Sequence, residues 1–244
     1  MTLKRSFDIL AAAMGLLLFS PLLGAVMLAI WIEDRHSPFY IAPRVARGGG
    51  VFRMVKFRSM VVNADKAGGS STAGDDRRIT PLGHLVRAYK IDELLQLWNV
   101  LRGDMSLVGP RPQVLTDANL YTSEESRMLS VRPGITDTAS IVFSDEGDVL
   151  HGSPRPDLLY HQIIRPWKSR LALAYVDNGT FSTDLRLLLL TVVTIVSRPV
   201  ALRAVGTLLR RWQLDPLVIR MAARQEPLLP YPPPGAAEVV EQYP

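Results

Sequence analysis

The sequence predicts a mostly α-helical protein with one small β-hairpin, held at a membrane by an apolar N-terminal helix that is broken at Ser20-Pro21. Three observations predict it. Ile9 to Ile32 is a stretch of 24 residues without a charge. Two apolar runs, Pro38–Ile41 and Val51–Phe57, flank Gly48-Gly49-Gly50, a turn signal between strands. The longer segments beyond them read as helices separated by proline and glycine turns.

The uncharged stretch is long enough to cross a bilayer, which takes about 20 residues, and too long for the core of a signal peptide. Ser20-Pro21 sits near its middle. Proline lacks an N–H and crowds the carbonyl four residues back, so a kink is expected there. Each half is then roughly 17 Å long, against about 30 Å of hydrocarbon. Two arrangements fit the pattern: a re-entrant hairpin with both ends on one face, or a kinked helix that spans. Lys4 and Arg5 before the stretch and Arg35 after it favour the same-side, cytoplasmic arrangement.

After the hairpin at 38–58, the Gly/Ser-rich segment Ala64–Asp76 reads as a loop. Thr80–Leu101 reads as helical. Pro110-Arg111-Pro112 and Arg132-Pro133-Gly134 mark rigid turns. Leu158–Val176 reads as one helix with a break at Pro166. Another begins at Asp184, taken as its cap, with an apolar run, Leu187–Val196, too short to span. Leu202–Leu214 is basic and amphipathic, as expected of a helix lying in a membrane interface. The proline-rich segment after Glu226 reads as disordered.

The net charge is +5, and its placement matters more than its sum. Arg35–Ala64 holds six Lys/Arg and no acid, and Arg198–Arg220 holds five Arg and one acid, Asp215. Such surfaces suit lipid headgroups or phosphate-bearing substrates. A nucleic-acid partner ranks low and none is expected, because no clear interleaving of aromatics with the basic residues and no known module is seen. The chain has no cysteine, so disulfides and thiolate metal sites are ruled out.

Chemistry points to Asp92-Glu93. Read as structure, the pair is a helix cap with an acid that complements the dipole. Read as function, one carboxylate attacks phosphorus and the other holds Mg²⁺, which takes one or two protein carboxylates and fills its shell with phosphate oxygens and water. The residues alone leave both readings open. Lys56, Arg58, Arg87, Lys90, Arg102, Arg111 and Arg132 are cations suited to a diphosphate, although each taken singly reads equally as a solvated charge or an ion-pair partner; the prolines flanking Arg111 would hold its backbone in place. The acidic run Asp145-Glu146-Gly147-Asp148 reads as a solvated loop. There is no P-loop, dinucleotide fingerprint, zinc-protease helix or hydrolase elbow.

Several ordered segments together resemble the small monotopic phosphoglycosyl transferases of the bacterial sugar transferase family. They are Lys4-Arg5-Ser6-Phe7-Asp8, Ser20-Pro21, Lys56-Phe57-Arg58-Ser59-Met60, Arg78–Gly83, Ile91-Asp92-Glu93-Leu94, Gln96–Val100, Gly103–Pro112 and Arg132–Thr136, over roughly residues 3–212. The resemblance implies a re-entrant helix over 1–36, broken at Ser20-Pro21, and a catalytic domain with interfacial helices over 37–222. The proline-rich tail at 223–244 lies beyond both. It implies an enzyme on the cytoplasmic face of the bacterial inner membrane that moves a sugar 1-phosphate from a UDP-sugar to polyprenyl phosphate. Asp92 matches the nucleophile, Glu93 the Mg²⁺ ligand, and Lys56, Arg58, Arg87, Pro110 and Arg111 the substrate-binding residues. Expected partners are the UDP-sugar, polyprenyl phosphate and membrane lipid, with a homodimer admitted. Two rival readings are a membrane glycosyltransferase acting on a lipid-linked sugar, and a non-catalytic scaffold of polysaccharide assembly. The sequence departs from the family pattern at Leu95, Ala46, Ala42-Pro43, Asp137 and Ala172.

Overall fold

The uncharged N-terminal stretch folds as one helix, α1 (Leu3–Asp34), in a computed structural model that describes residues 2–66, 69 and 71–243. Helical structure continues through Ser20-Pro21, so the expected break is not an interruption of the helix. Pro21 has no N–H for the carbonyl of Leu17, four residues back. The Ser20 hydroxyl donates to that same carbonyl at 2.8 Å. The serine therefore satisfies the acceptor that the proline leaves open, which matters most where no water is available.

Both ends of α1 are tied to the rest of the protein. Near the start, Lys4 pairs with Asp184 at 2.6 Å, and the buried Asp8 accepts from the Ser106 hydroxyl and the Leu107 N–H. At the other end, Asp34 takes a bidentate grip from Arg58, at 2.6 and 2.7 Å. Between them Leu10, Met14, Leu17, Leu18 and Leu22 are exposed. An apolar face of this size marks a membrane or protein contact.

The hairpin forms as the sequence predicts. β1 (Phe39–Val45) pairs antiparallel with β2 (Val51–Phe57), with Phe39 opposite Phe57 and Val45 opposite Val51. Gly48 and Gly49 take φ of 77° and 83°, which explains glycine at the turn. Of the loop expected at Ala64–Asp76, residues 67, 68 and 70 lie outside the described residues, and a short 3₁₀ turn covers Ala64–Lys66.

The helix expected over Thr80–Leu101 is three pieces. α2 (Pro81–Ala88) is capped by the Thr80 hydroxyl on Gly83 N–H. The chain then reverses at Lys90, with φ 57°, makes a 3₁₀ turn over Ile91–Leu95, and continues as α3 (Gln96–Arg102). Leu23 and Ile30 of α1, Phe57 of β2 and Val86 of α2 form a small core against which this turn packs. That tertiary packing overrides the local helical pattern.

β3 (Ser106–Val108) is followed by α4 (Leu115–Ala118) and then by β4 (Gly134–Thr136), which pairs in parallel with β3. Strands of three residues carry too little periodicity to read in advance. Gly109 and Gly134 lie back to back: a Cβ on Gly134 would meet Gly109 N at 2.1 Å. The main core is made by the helices that follow. These are α5 (Thr138–Val142), α6 (Glu146–Val149), α7 (Pro156–Leu159), α8 (Arg165–Asn178), α9 (Phe181–Val196), α10 (Arg198–Arg211) and α11 (Pro216–Ala222). A π turn, Tyr160–Ile164, joins α7 to α8 and sets Pro166 in the first turn of α8, where its missing N–H costs nothing. Thr180, not Asp184, caps α9; Asp184 is buried within the first turn, bonded to Lys4 and Tyr175. α9 leaves Leu185, Leu189, Val192 and Ile195 exposed, whereas α10 buries Leu202, Val205, Leu208 and Leu209 and turns Arg203, Arg210 and Arg211 outward.

Two further expectations are corrected. Asp145 is not solvated: it pairs with Arg198 at 2.8 Å and Arg224 at 2.9 Å, and Glu146 pairs with Lys168. Among the described residues the proline-rich tail has no helix or strand, yet it is packed. Tyr231 lies against Trp167, with ring centroids 4.6 Å apart, and Tyr243 stacks on the buried His161 at 4.5 Å. Side-chain donors meet its carbonyls: Arg170 bonds Pro232, Thr122 bonds Pro234 and Gln162 bonds Val240. Prolines bring acceptors but no donors, so a surface with spare donors can hold such a segment without a ladder.

Candidate active site

Three elements bring the predicted residues together. β2 carries Lys56. The 3₁₀ turn carries Asp92 and Glu93. The segment after β3 carries Arg111. Asn99 of α3 fixes the turn against the hairpin, accepting from Val55 N–H at 2.9 Å and donating to the Arg53 carbonyl at 2.8 Å. The Pro-Arg-Pro backbone is pinned on both sides, because Gly134 N–H donates to the Pro110 carbonyl and Val45 N–H to the Gln113 carbonyl. Arg111 is therefore pre-positioned, as its flanking prolines suggest.

Glu93 is the hub. Its Oε1 accepts from Arg111 Nη2 at 2.5 Å and lies 3.5 Å from Lys56 Nζ. Burial alone would raise the Glu93 carboxyl; the charge of Arg111, then Lys56, and the Arg111 hydrogen bond outweigh it and hold the group far below the usual carboxylate range. Asp92 goes the other way. It is buried and accepts no hydrogen bond among the described residues. Burial raises its carboxyl, Lys56 opposes the rise, and the adjacent Glu93 charge adds to it. Lys56 is itself lowered, by burial first and then by Arg111. Two neighbouring carboxylates thus have opposite characters: one firmly anionic and clamped, one unpaired and harder to ionise.

Arg87, in the last turn of α2, is close enough to lower Asp92 electrostatically. Arg58 is not part of the group. Its guanidinium is committed to Asp34 and to the Ser37 carbonyl, so it moors α1. Pro110 serves through its carbonyl and by lining a cleft beside Arg111. Ser20 and Pro21 act within α1. Asp92 sits inside a five-residue 3₁₀ turn rather than at a long helix's N-terminus, so the positive field beside it comes from the nearby cations and not from a helix dipole.

The carboxylate pair fits Mg²⁺ by the chemistry of its donors. Both cations fall on Glu93 Oε1, so Oε2 and the Asp92 carboxylate remain as oxygen donors. Among the described residues no cluster of three or more His, Cys, Asp or Glu is present.

The sequence profile of the bacterial sugar transferase family matches residues 1–198. The chain belongs to that family. Among curated relatives, a UDP-N-acetylgalactosamine-undecaprenyl-phosphate N-acetylgalactosaminephosphotransferase of Aeromonas hydrophila is 40% identical over 149 residues, covering 60% of this chain and 35% of that protein. The exopolysaccharide production protein ExoY of Rhizobium meliloti is 38% identical over 148 residues, covering 54% of this chain and 66% of its own. A UDP-glucose:undecaprenyl-phosphate glucose-1-phosphate transferase of Caulobacter vibrioides is 33% identical over 197 residues, covering 80% and 70%. The chain thus spans less than two thirds of the first two of these. Sequence reasoning marked Asp137 only as a departure from the family pattern and missed the other surroundings of the cleft, Glu146 and Lys168. The Asp145–Asp148 run signalled an acidic segment but not which cations would meet it.

Proposed function

We propose that this protein is a phosphoglycosyl transferase that moves a sugar 1-phosphate from a UDP-sugar to polyprenyl phosphate at the cytoplasmic face of the membrane, the first membrane step of surface glycan assembly. The observation that carries this reading is the unpaired, buried Asp92 beside a Glu93 clamped by Arg111 and Lys56. A nucleophile must be free, and here the neighbouring carboxylate takes the cations. The activities named for the Aeromonas hydrophila and Caulobacter vibrioides relatives support the same substrates.

Lys56, Arg87 and Arg111 receive the diphosphate and offset its charge. Asp92 attacks the phosphorus bearing the sugar; the P–O bond to UMP breaks, and an aspartyl phospho-sugar forms. The phosphate oxygen of polyprenyl phosphate then attacks that phosphorus, Asp92 leaves as a carboxylate, and polyprenyl diphosphate sugar is released. Mg²⁺, held by Glu93 with Asp92 beside it, would supply Lewis-acid neutralisation of the diphosphate. The mooring of both ends of α1 to one body supports the re-entrant arrangement, since a helix tied at Lys4 and Asp34 to the same domain keeps its ends on that domain's side.

The test is nucleotide release. With UDP-sugar and no acceptor, UMP should appear up to one equivalent of protein and then stop. Asp92→Asn should abolish it. Release of UDP instead would indicate sugar transfer, and full turnover by Asp92→Asn would end the nucleophile assignment.

A further inference from the structure

One arginine beside the site has no anion of its own. In the hairpin register Tyr40 stands opposite Lys56, Ala42 opposite Met54 and Arg44 opposite Phe52. Directly opposed residues point to the same side of a strand pair, so Arg44 shares a face with Lys56. That face is otherwise turned to the core, since Ala42, Phe52 and Met54 are buried. Arg44 also precedes Val45, whose N–H bonds the Gln113 carbonyl two residues after Arg111. The surrounding cations are committed: Lys56 and Arg111 to Glu93, Arg58 to Asp34 and Lys168 to Glu146. Arg44 is half-buried and forms no ion pair among the described residues; it donates to the carbonyl of its own neighbour, Pro43, at 3.0 Å. Burial lowers its guanidinium below the ordinary value. The Tyr40 hydroxyl beside it opposes that fall, the Arg111 charge adds to it, and Asp117 opposes it from further off. A half-buried cation with a second cation nearby and no carboxylate in reach is costly, and an arriving anion removes that cost.

We propose that Arg44 is a further substrate-binding residue, which grips the phosphate exchanged in the reaction: the UMP phosphate while the donor is bound, and the phosphate of polyprenyl phosphate afterwards. The inference rests on the function proposed above. There, Asp92 displaces UMP from the sugar-bearing phosphorus, and an oxygen of polyprenyl phosphate later displaces Asp92 from the same phosphorus. Attacking and leaving oxygens lie roughly in line in phosphoryl transfer. The group that leaves in the first step and the group that attacks in the second therefore take one position, on the side of the phosphorus away from Asp92. Both are phosphate monoesters, so one guanidinium fork serves both. Lys56 and Arg111 touch Glu93 and so serve the phosphorus at the dyad. Arg44 is the next cation outward: its charge is felt by Lys56, yet it pairs with neither carboxylate of the dyad. The exchanged phosphate lies one bridging oxygen beyond the reacting phosphorus, which suits a cation one step further out.

The test uses the full chain in lipid nanodiscs with Mg²⁺ and the UDP-sugar that gives the largest UMP burst. The first half-reaction is read as burst UMP release against donor concentration, without acceptor. The second is read as loss of the phospho-sugar enzyme against undecaprenyl phosphate concentration. Arg44→Ala should raise the half-saturating concentration in both halves at least about tenfold, and weaken inhibition by UMP by a similar factor. Inhibition by uridine, which has no phosphate, should stay unchanged, a contrast that a merely structural defect would not produce. Arg44→Lys keeps the charge without the fork and should recover part of the loss in both halves. Unchanged half-saturation in both halves overturns the assignment, and a loss confined to one half overturns the shared position. Equal weakening of UMP and uridine overturns it too, as a defect of the nucleoside site or of the fold. UMP and uridine affinities measured by saturation-transfer NMR titration need no turnover. Weaker UMP binding in Arg44→Ala, with uridine unaffected, would support the phosphate contact even if the wild type released no UMP from any donor, a result that would count against the proposed reaction alone.

Discussion

At the residue scale, the site works by splitting two adjacent carboxylates. Glu93 is stabilised as an anion by Arg111 and Lys56, while Asp92 is left buried with a like charge beside it. An acid whose carboxyl is raised by folding binds its proton more tightly in the folded state. Ionising it at neutral pH therefore costs stability, and the cost builds up from the ordinary carboxylate value, about 3.9, to the raised one. Asp92→Asn should consequently melt at the same temperature as the wild type or higher at pH 7–8. That advantage should shrink as pH falls through the raised value toward the ordinary carboxylate value, while activity is lost throughout. Thermal unfolding of both proteins across pH 4–8 measures it, and an Asn variant that melts well below wild type at neutral pH would contradict the assignment. Lys56 is the largest charge opposing the rise, so Lys56→Met should push the Asp92 ionisation higher. Infrared absorption of the protonated carboxyl, subtracted against Asp92→Asn, reads that shift without turnover. The dyad and Arg111 were legible in the sequence as residue types at given spacings. The pairing of Arg58 was not legible, because its place just after β2 does not reveal that Asp34, 24 residues earlier in the chain, would hold it.

At the scale of elements, Ser20-Pro21 was legible as a special point in α1, but its consequence was not. A proline in a helix reads as a break, whereas the serine hydroxyl on the Leu17 carbonyl keeps the helix continuous. Ser20→Ala leaves that carbonyl open and should cost about 1 kcal/mol, and more in lipid than in detergent, because lipid supplies no replacement donor. Ser20→Thr should largely restore it. The absence of native cysteine makes the topology directly testable. Single cysteines at Thr2 and His36 should both resist an impermeant maleimide in intact cells and both react once the membrane is opened; opposite behaviour at the two ends would mean a spanning helix. The hairpin was legible because seven-residue strands and a triple glycine give a clear signal. β3 and β4 were not, since three residues cannot show a period. Only Gly109 and Gly134 marked their approach, and a lone glycine does not name its partner. The split at Lys90 was hidden for another reason: a long-range core of Leu23, Ile30, Phe57 and Val86 decides it.

At the scale of the whole molecule, the site is held between two straps from the ends of the described chain. Lys4 and Asp8 tie α1 to Asp184, Ser106 and Leu107, under the strand that leads to Arg111. From the other end, Tyr243 donates to Asp117 at 2.8 Å, and Asp117 lines the cleft that begins at Arg111. Composition pointed to disorder in this tail because proline-rich segments make few hydrogen bonds of their own. It could not show that Arg170, Thr122 and Gln162 would present donors along its path, nor that Trp167 and His161 would offer rings to Tyr231 and Tyr243. Each aromatic pair contributes about 0.5–1.5 kcal/mol and each side-chain bond about 1 kcal/mol, and part of that gain is offset by ordering the segment. Prolines lower that ordering cost because their φ is already fixed. Removing residues 226–244 should therefore lower stability by roughly 2–4 kcal/mol and loosen Asp117, raising KM for donor more than it lowers kcat. Tyr243→Phe separates the two effects. It keeps the ring on His161 and removes the hydroxyl that bonds Asp117, so it should lower the melting temperature far less than the truncation while still raising KM. If the truncated protein melted like wild type, the tail would contribute no net stability. If Tyr243→Phe left donor KM unchanged, the tail would stabilise the fold without shaping the cleft.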